Sequence, residues 1–160
     1  MKTADSEVPR KLGDSKPPYI YWIAPPALGS LKKATDGLEF GLWQIDARTM
    51  KDRTTICEAL GRMFHFSEYL GTEKWGRNWS ALVDGLRGLN EVFPNKGYVL
   101  VVENADELWR RDPSLYYRFT DVMRSVSKEW DEWKHARISL KTVLVCEDAD
   151  LRRVVTYQLT

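Results

Sequence analysis

The chain predicts an α/β fold: a small parallel sheet of three to four strands with helices packed on it. Three observations predict it. Short apolar, β-branched runs alternate four times with segments of helical periodicity. One run, Tyr98-Val99-Leu100-Val101-Val102-Glu103, is almost continuously apolar, the pattern of a strand covered on both faces. With 160 residues and 43% hydrophobic side chains, the chain is long enough for one well-buried core and short for two.

Taken in order, residues 1–18 are polar, contain Pro9, Pro17 and Pro18, and predict a mobile arm ahead of a single domain spanning 19–160. Tyr19-Ile20-Tyr21-Trp22-Ile23 is a compact aromatic and β-branched run stopped by Ala24-Pro25-Pro26, and reads as a strand. The prolines suit a helix start, so a short helix follows through Leu28, Leu31 and Ala34, closed by Gly37. A second strand covers 38–46. The next helix, 54–64, sets Ile56, Ala59, Leu60 and Met63 at helical spacing. A loop over 65–77 leads into a short helix over 79–87. After the apolar strand, a helix begins near Asn104 with Asp106 and Glu107 in its first turn, where acids complement exposed amides. Pro113 interrupts it, and a longer helix over 114–133 carries Leu115, Phe119, Val122, Met123, Val126 and Trp130 on one face. The strand 141–146 completes the alternation. The tail, with Val154, Val155, Tyr157 and Leu159, reads equally as a short edge strand or a helix.

Charge and motifs narrow the function classes. With 24 basic and 23 acidic residues the chain lacks the basic excess that grips nucleic acid along its backbone. Its first 18 residues hold no apolar signal segment and no run approaches membrane-spanning length, so a soluble, cytosolic protein is expected. Cys57 and Cys146 lie in apolar surroundings and are expected as buried thiols, not as a disulfide or metal ligands. His65 and His135 belong to no metal or nucleophile motif, and Gly71 to Arg77 copies only the glycine spacing of a phosphate loop. Asp46, Glu103 and Asp106, near strand ends, read as caps and solvated loop charges before acid/base groups. No cofactor, metal or enzymatic activity is expected.

The most informative stretch runs from Trp75 to Leu89. Asn78 is placed to cap the helix by accepting from a first-turn amide. Leu82, Leu86 and Leu89 fall on one face and should point to the core, while Ser80, Asp84, Gly88 and Glu91 form another stripe with Arg87 beside it. Each helical glycine costs about 1 kcal/mol relative to alanine. Gly88 reads as the left-handed residue ending the helix, and Gly85 as a position of close approach.

This stretch resembles the signature of the barstar-type ribonuclease inhibitors, in which a Gly-x-Asn loop opens a short helix with Ala, Leu, Asp and Leu at fixed spacing. Gly76, Asn78, Ala81, Leu82, Asp84, Leu86 and Gly88 match, and the resemblance extends over about 40–145. The strand and helix before it are then an addition to a barstar-like fold. Ser80 stands where barstar has a carboxylate, and Val83 where it has a tryptophan.

The resemblance implies an inhibitor, an immunity protein or antitoxin, that binds a cognate secreted bacterial ribonuclease or another toxin domain. Asp84 matches the carboxylate that enters the ribonuclease active site as a phosphate mimic, accepting charge-assisted bonds from its Arg, Lys or His. Around it, Gly76, Asn78, Trp79, Ser80, Val83 and Gly88 form the implied partner-binding stripe. About five residues are inserted ahead of the helix, so either Tyr69 or Trp75 takes the place of the family's contacting tyrosine. Glu129, with Glu132 behind it, is the best match for a second carboxylate from the later long helix. A monomer binding its partner 1:1 is implied, without membrane or nucleic acid. The balanced charge and Ser80 imply weaker long-range attraction to a basic nuclease, hence a ribonuclease other than barnase.

Two other classes compete. A barstar-like adaptor or immunity module against a non-nuclease partner would depend on Tyr69, Trp75 or Trp79 rather than on Asp84. A single-strand RNA binder would use Lys74, Arg77 and Arg87 beside Trp75 and Trp79. Most of the seven tryptophans fall at core-like positions, which weighs against it.

Overall fold

The computed structural model describes residues 4–70, 76–132, 138–155 and 157–160. Four strands, β1 (Ile20–Ile23), β2 (Gly41–Asp46), β3 (Gly97–Glu103) and β4 (Ser139–Val145), form one sheet in the order β1-β4-β3-β2. Every pairing is parallel, as the alternating pattern predicts. The helices that connect and cover the strands are α1 (Ala4–Gly13), α2 (Leu28–Gly37), α3 (Arg53–Met63), α4 (Phe66–Tyr69), α5 (Trp79–Arg87), α6 (Leu89–Val92), α7 (Ala105–Arg111), α8 (Pro113–Glu132) and α9 (Ala149–Val155).

The strand pleat divides the interior in two. Tyr98, Leu100 and Val102 of β3 enter the larger core with residues of α3, α5 and α8, whereas Val99 and Val101 enter a smaller core under α1 and α2. Both faces of the sheet are therefore covered, which is why β3 reads as an almost continuous apolar run and every residue of β4 is buried, its polar Ser139, Lys141 and Thr142 included. The expected amino-terminal strand is β1, and it joins the main sheet beside β4.

Residues 4–13, expected in a mobile arm, instead form α1. Val8 and Leu12, one helical turn apart, are buried in the smaller core. Pro9 lies inside this helix, where a proline costs about 3 kcal/mol. Burying two aliphatic side chains at about 1.5–3 kcal/mol each offsets it. A low average hydrophobicity concealed two well-placed residues.

Other boundaries moved for local reasons. Leu38 caps α2 and Glu39 takes a left-handed φ of 59°, so β2 begins at Gly41 rather than 38. Asp52 and Thr55 form a reciprocal capping box that starts α3 at Arg53. The expected loop over 65–77 contains α4. Pro113 opens α8, with Asp112 Oδ1 accepting from the Leu115 amide at 3.1 Å just ahead of it. The tail takes both forms offered by its sequence: α9, then a parallel bridge of Gln158 with Trp22 along the edge of β1.

A fully buried cation sits in the middle of the sheet, with no signal for it in the sequence pattern. Lys141 of β4 is wholly buried, and its Nζ donates to the carbonyls of Lys16 and Pro18 at 2.6 and 2.7 Å. The rings of Tyr19 and Tyr21 flank it at 5.4 and 5.9 Å. Burial pushes its pKa down to about 8.

Candidate functional site

The site is built on α5. Asn78 has an extended backbone, and its Oδ1 accepts from the Ala81 amide at 2.9 Å, which caps the helix as its sequence position predicts. Leu82, Leu86 and the following Leu89 are fully buried, fixing which face looks outward. Trp79 and Val83 are half-buried and pack on the larger core.

Both helix glycines are explained from below by α4. A Cβ on Gly85 would lie 2.5 Å from the Phe66 ring, and one on Gly88 would lie 2.7 Å from the Tyr69 ring. Gly88 has a φ of −97°, so it is not the left-handed terminator its position suggests; aromatic packing requires it. Tyr69 lies half-buried beneath the helix, donates its hydroxyl to the Gly85 carbonyl, and has its pKa raised by burial. Trp75, the alternative loop aromatic, lies outside the described residues. Gly76 is exposed just ahead of Asn78.

On the outward face Ser80 is exposed, and the Asp84 side chain is 61% exposed. A groove of about 500 Å³ runs between α5 and α8, with Trp79, Ser80, Val83, Asp84 and Arg87 on one wall. Arg118, Asp121, Val122 and Ser125 of α8 form the other. Glu129 lies farther along α8. Its carboxylate accepts two bonds from Arg87, at 2.6 and 2.7 Å, and Arg87 Nη1 also donates to Asp84 Oδ1 at 3.0 Å. One guanidinium thus joins the two candidate carboxylates. The Arg87 bonds hold the Glu129 carboxyl below its usual range, and the same pairing raises Arg87.

Sequence reasoning placed Arg87 only beside the stripe and did not find Arg118, Asp121 or Ser125. The three-residue spacing of Asp84 and Arg87 was a readable signal for their pair. Likewise, Arg118, Asp121 and Ser125 recur at three and four residues on the polar side of α8, a face that could be drawn from its periodicity. The Arg87–Glu129 contact crosses 42 positions and has no local signal.

The other carboxylates serve the fold. Asp46 caps the 3-10 turn Ala47–Thr49, pairs with Arg48 at 2.7 Å and accepts from the Asn104 amide, and Arg48 holds its carboxyl well below the usual range. Asp106 accepts from the amides of Glu147 and Asp148. His65 is exposed, 3.2 Å from Glu68, and His135 lies outside the described residues. Cys57 and Cys146 are buried free thiols. Among the described residues no helix is long and apolar enough to cross a membrane.

The family model of Barstar (barnase inhibitor) matches residues 40–145, two thirds of the chain. The chain belongs to the barstar family. That span includes β2, β3, β4 and the helices α3 to α8, and therefore both walls of the groove. The elements α1, β1, α2 and α9 lie outside the barstar-family match: β1 extends the sheet, α1 and α2 cover its second face, and α9 packs Leu151 and Val155 on the larger core. Neither the curated proteins nor the solved structures contain a match to the chain.

Proposed function

We propose that this barstar-family protein is an immunity protein or antitoxin. It binds a cognate bacterial ribonuclease 1:1 and blocks the active site with the Asp84 carboxylate. The observation that carries this reading is the presentation of Asp84. Its helix is fixed by the Asn78 cap, the buried Leu82 and Leu86 and the aromatic bed of Phe66 and Tyr69, while the carboxylate itself stays exposed at a groove. A carboxylate held this rigidly loses little conformational entropy on docking and can occupy the place of a scissile phosphate among cationic side chains. Glu129 supplies the second acid. Gly76, Asn78, Trp79, Ser80, Val83 and Gly88 frame the contact, with Tyr69 supporting the helix from beneath. Lys74 lies outside the described residues, and the other two cations near Trp79 weigh against RNA binding, since Arg77 pairs with Glu58 at 3.3 Å and Arg87 with two acids.

The test is a pull-down from host lysate with wild type and Asp84→Ala side by side, followed by an RNA-degradation assay on what is recovered. The expected result is a ribonuclease captured and silenced by wild type, with inhibition lost by at least a hundredfold in the variant. Equal capture of a non-nuclease partner by both forms would instead establish the adaptor reading, in which Trp79 and its neighbours carry the binding.

A further inference from the structure

We infer that the α5–α8 groove is charge-matched to a ribonuclease whose docking face carries carboxylates as well as cations, and that Arg87 and Arg118 exclude uniformly basic nucleases. This rests on the inhibitor reading above and specifies its partner. The carboxylates around the groove are already answered within the chain. Arg87 bonds Asp84 and Glu129, and Arg124 bonds Asp121 at 2.8 Å. Arg118 is exposed on the groove wall and has no ion-pair partner among the described residues. The surface therefore presents three carboxylates and three guanidinium groups, and is neutral in sum.

Such a surface discriminates. A nuclease offering only cations must compete with Arg87 for Asp84 and Glu129 and bring its own positive charge against Arg87 and Arg118. Like charges facing across an interface are a device for rejecting wrong partners. A nuclease that sets a carboxylate against Arg118 and Arg87 reverses both effects: it releases Asp84 from its internal bond and gives each guanidinium an acceptor. Arg87 then serves as a positioning residue in the free protein and as a contact in the complex. Its planar fork can hold one carboxylate of its own chain and one of the partner together.

Barnase, a basic ribonuclease, is the probe. Its inhibition is measured with wild type, the double variant Arg87→Gln/Arg118→Gln, and that double variant carrying Asp84→Ala, each first shown to keep the wild-type circular dichroism spectrum and thermal midpoint. Both arginines are exposed, so the fold is expected to survive the changes. The expected result is at least tenfold tighter inhibition by the double variant than by wild type, with the gain removed by Asp84→Ala. Equal or weaker inhibition by the double variant, including no inhibition by any form, overturns the charge-matching inference. A gain that persists after Asp84→Ala supports exclusion by the arginines and overturns Asp84 as the mimic. Because the host pull-down does not involve barnase, failure of this inference and failure of the inhibitor reading are told apart.

Discussion

At the scale of single residues, the docking helix depends on what lies beneath it. Gly85 is an expensive choice for a helix interior, and the Phe66 ring occupies the place of its missing side chain. Gly85→Ala gains about 1 kcal/mol in helix propensity but drives a methyl into that ring, and overpacking costs about 1–3 kcal/mol. The expected net is a destabilisation, read as a thermal midpoint lower by a few degrees. Gly29→Ala is the control, since nothing lies within 4 Å of the Cβ position of exposed Gly29 in α2 and only the propensity gain remains. It is expected to be neutral or stabilising by up to about 1 kcal/mol. If the two variants behaved alike, the tight packing of α4 under α5 would not be a constraint on the site. The two glycines are required by the chain's own aromatics whether or not a partner is bound, whereas Asp84 and Ser80 answer no such internal steric demand.

At the scale of elements, α1 shows how a helix can be hidden by composition. Leu12 is fully buried between α2 and the sheet, so Leu12→Ala should cost about 2–5 kcal/mol, measured by urea unfolding. A mobile arm would leave stability unchanged. After β1 the alternation was legible, because each strand and helix buries a face and the burial imposes a period of two or 3.6 on the residues. The axis of α5, its cap at Asn78 and its leucine face could be read for the same reason. What was not legible depends on distant or averaged information. The identity of the residue packed on Gly88 required Tyr69 to be folded back under the helix. The Arg87–Glu129 bond required α5 and α8 to be adjacent. The start of β2 depended on the left-handed Glu39, a conformation that a non-glycine residue does not advertise. Two large aliphatic residues, Val8 and Leu12, among ten in α1 were too few to raise its mean hydropathy, though their spacing sufficed to dock it.

At the scale of the molecule, Lys141 ties the middle of the sheet to the turn between α1 and β1, and that tie makes stability depend on pH. The groups facing it are the Lys16 and Pro18 carbonyls, the rings of Tyr19 and Tyr21, and the acids Asp14 and Asp131. The acids favour the charged form, but burial outweighs them and brings the amine from 10.5 down to about 8. Below pH 8 both folded and unfolded chains carry the proton, and the full cost of burying it is present. Between pH 8 and 10.5 the unfolded chain holds a proton that the folded chain has released, so stability contributed at this site rises with pH. The span corresponds to a rise on the order of 3 kcal/mol. Cys57, pushed up to about 11, Cys146, pushed up to about 12, and Tyr19, pushed up to about 12, act in the opposite sense above pH 9 to 10, because the unfolded chain ionises first. The wild-type curve alone therefore cannot isolate Lys141, but its difference from Lys141→Met can. Urea unfolding at steps from pH 7 to 10 is expected to show that difference moving in favour of wild type by about 1–3 kcal/mol. A difference that stayed flat would mean that the buried amine keeps its proton throughout. The neutral amine still has two N–H groups for the two carbonyls, so the turn can stay bonded while the charge is lost.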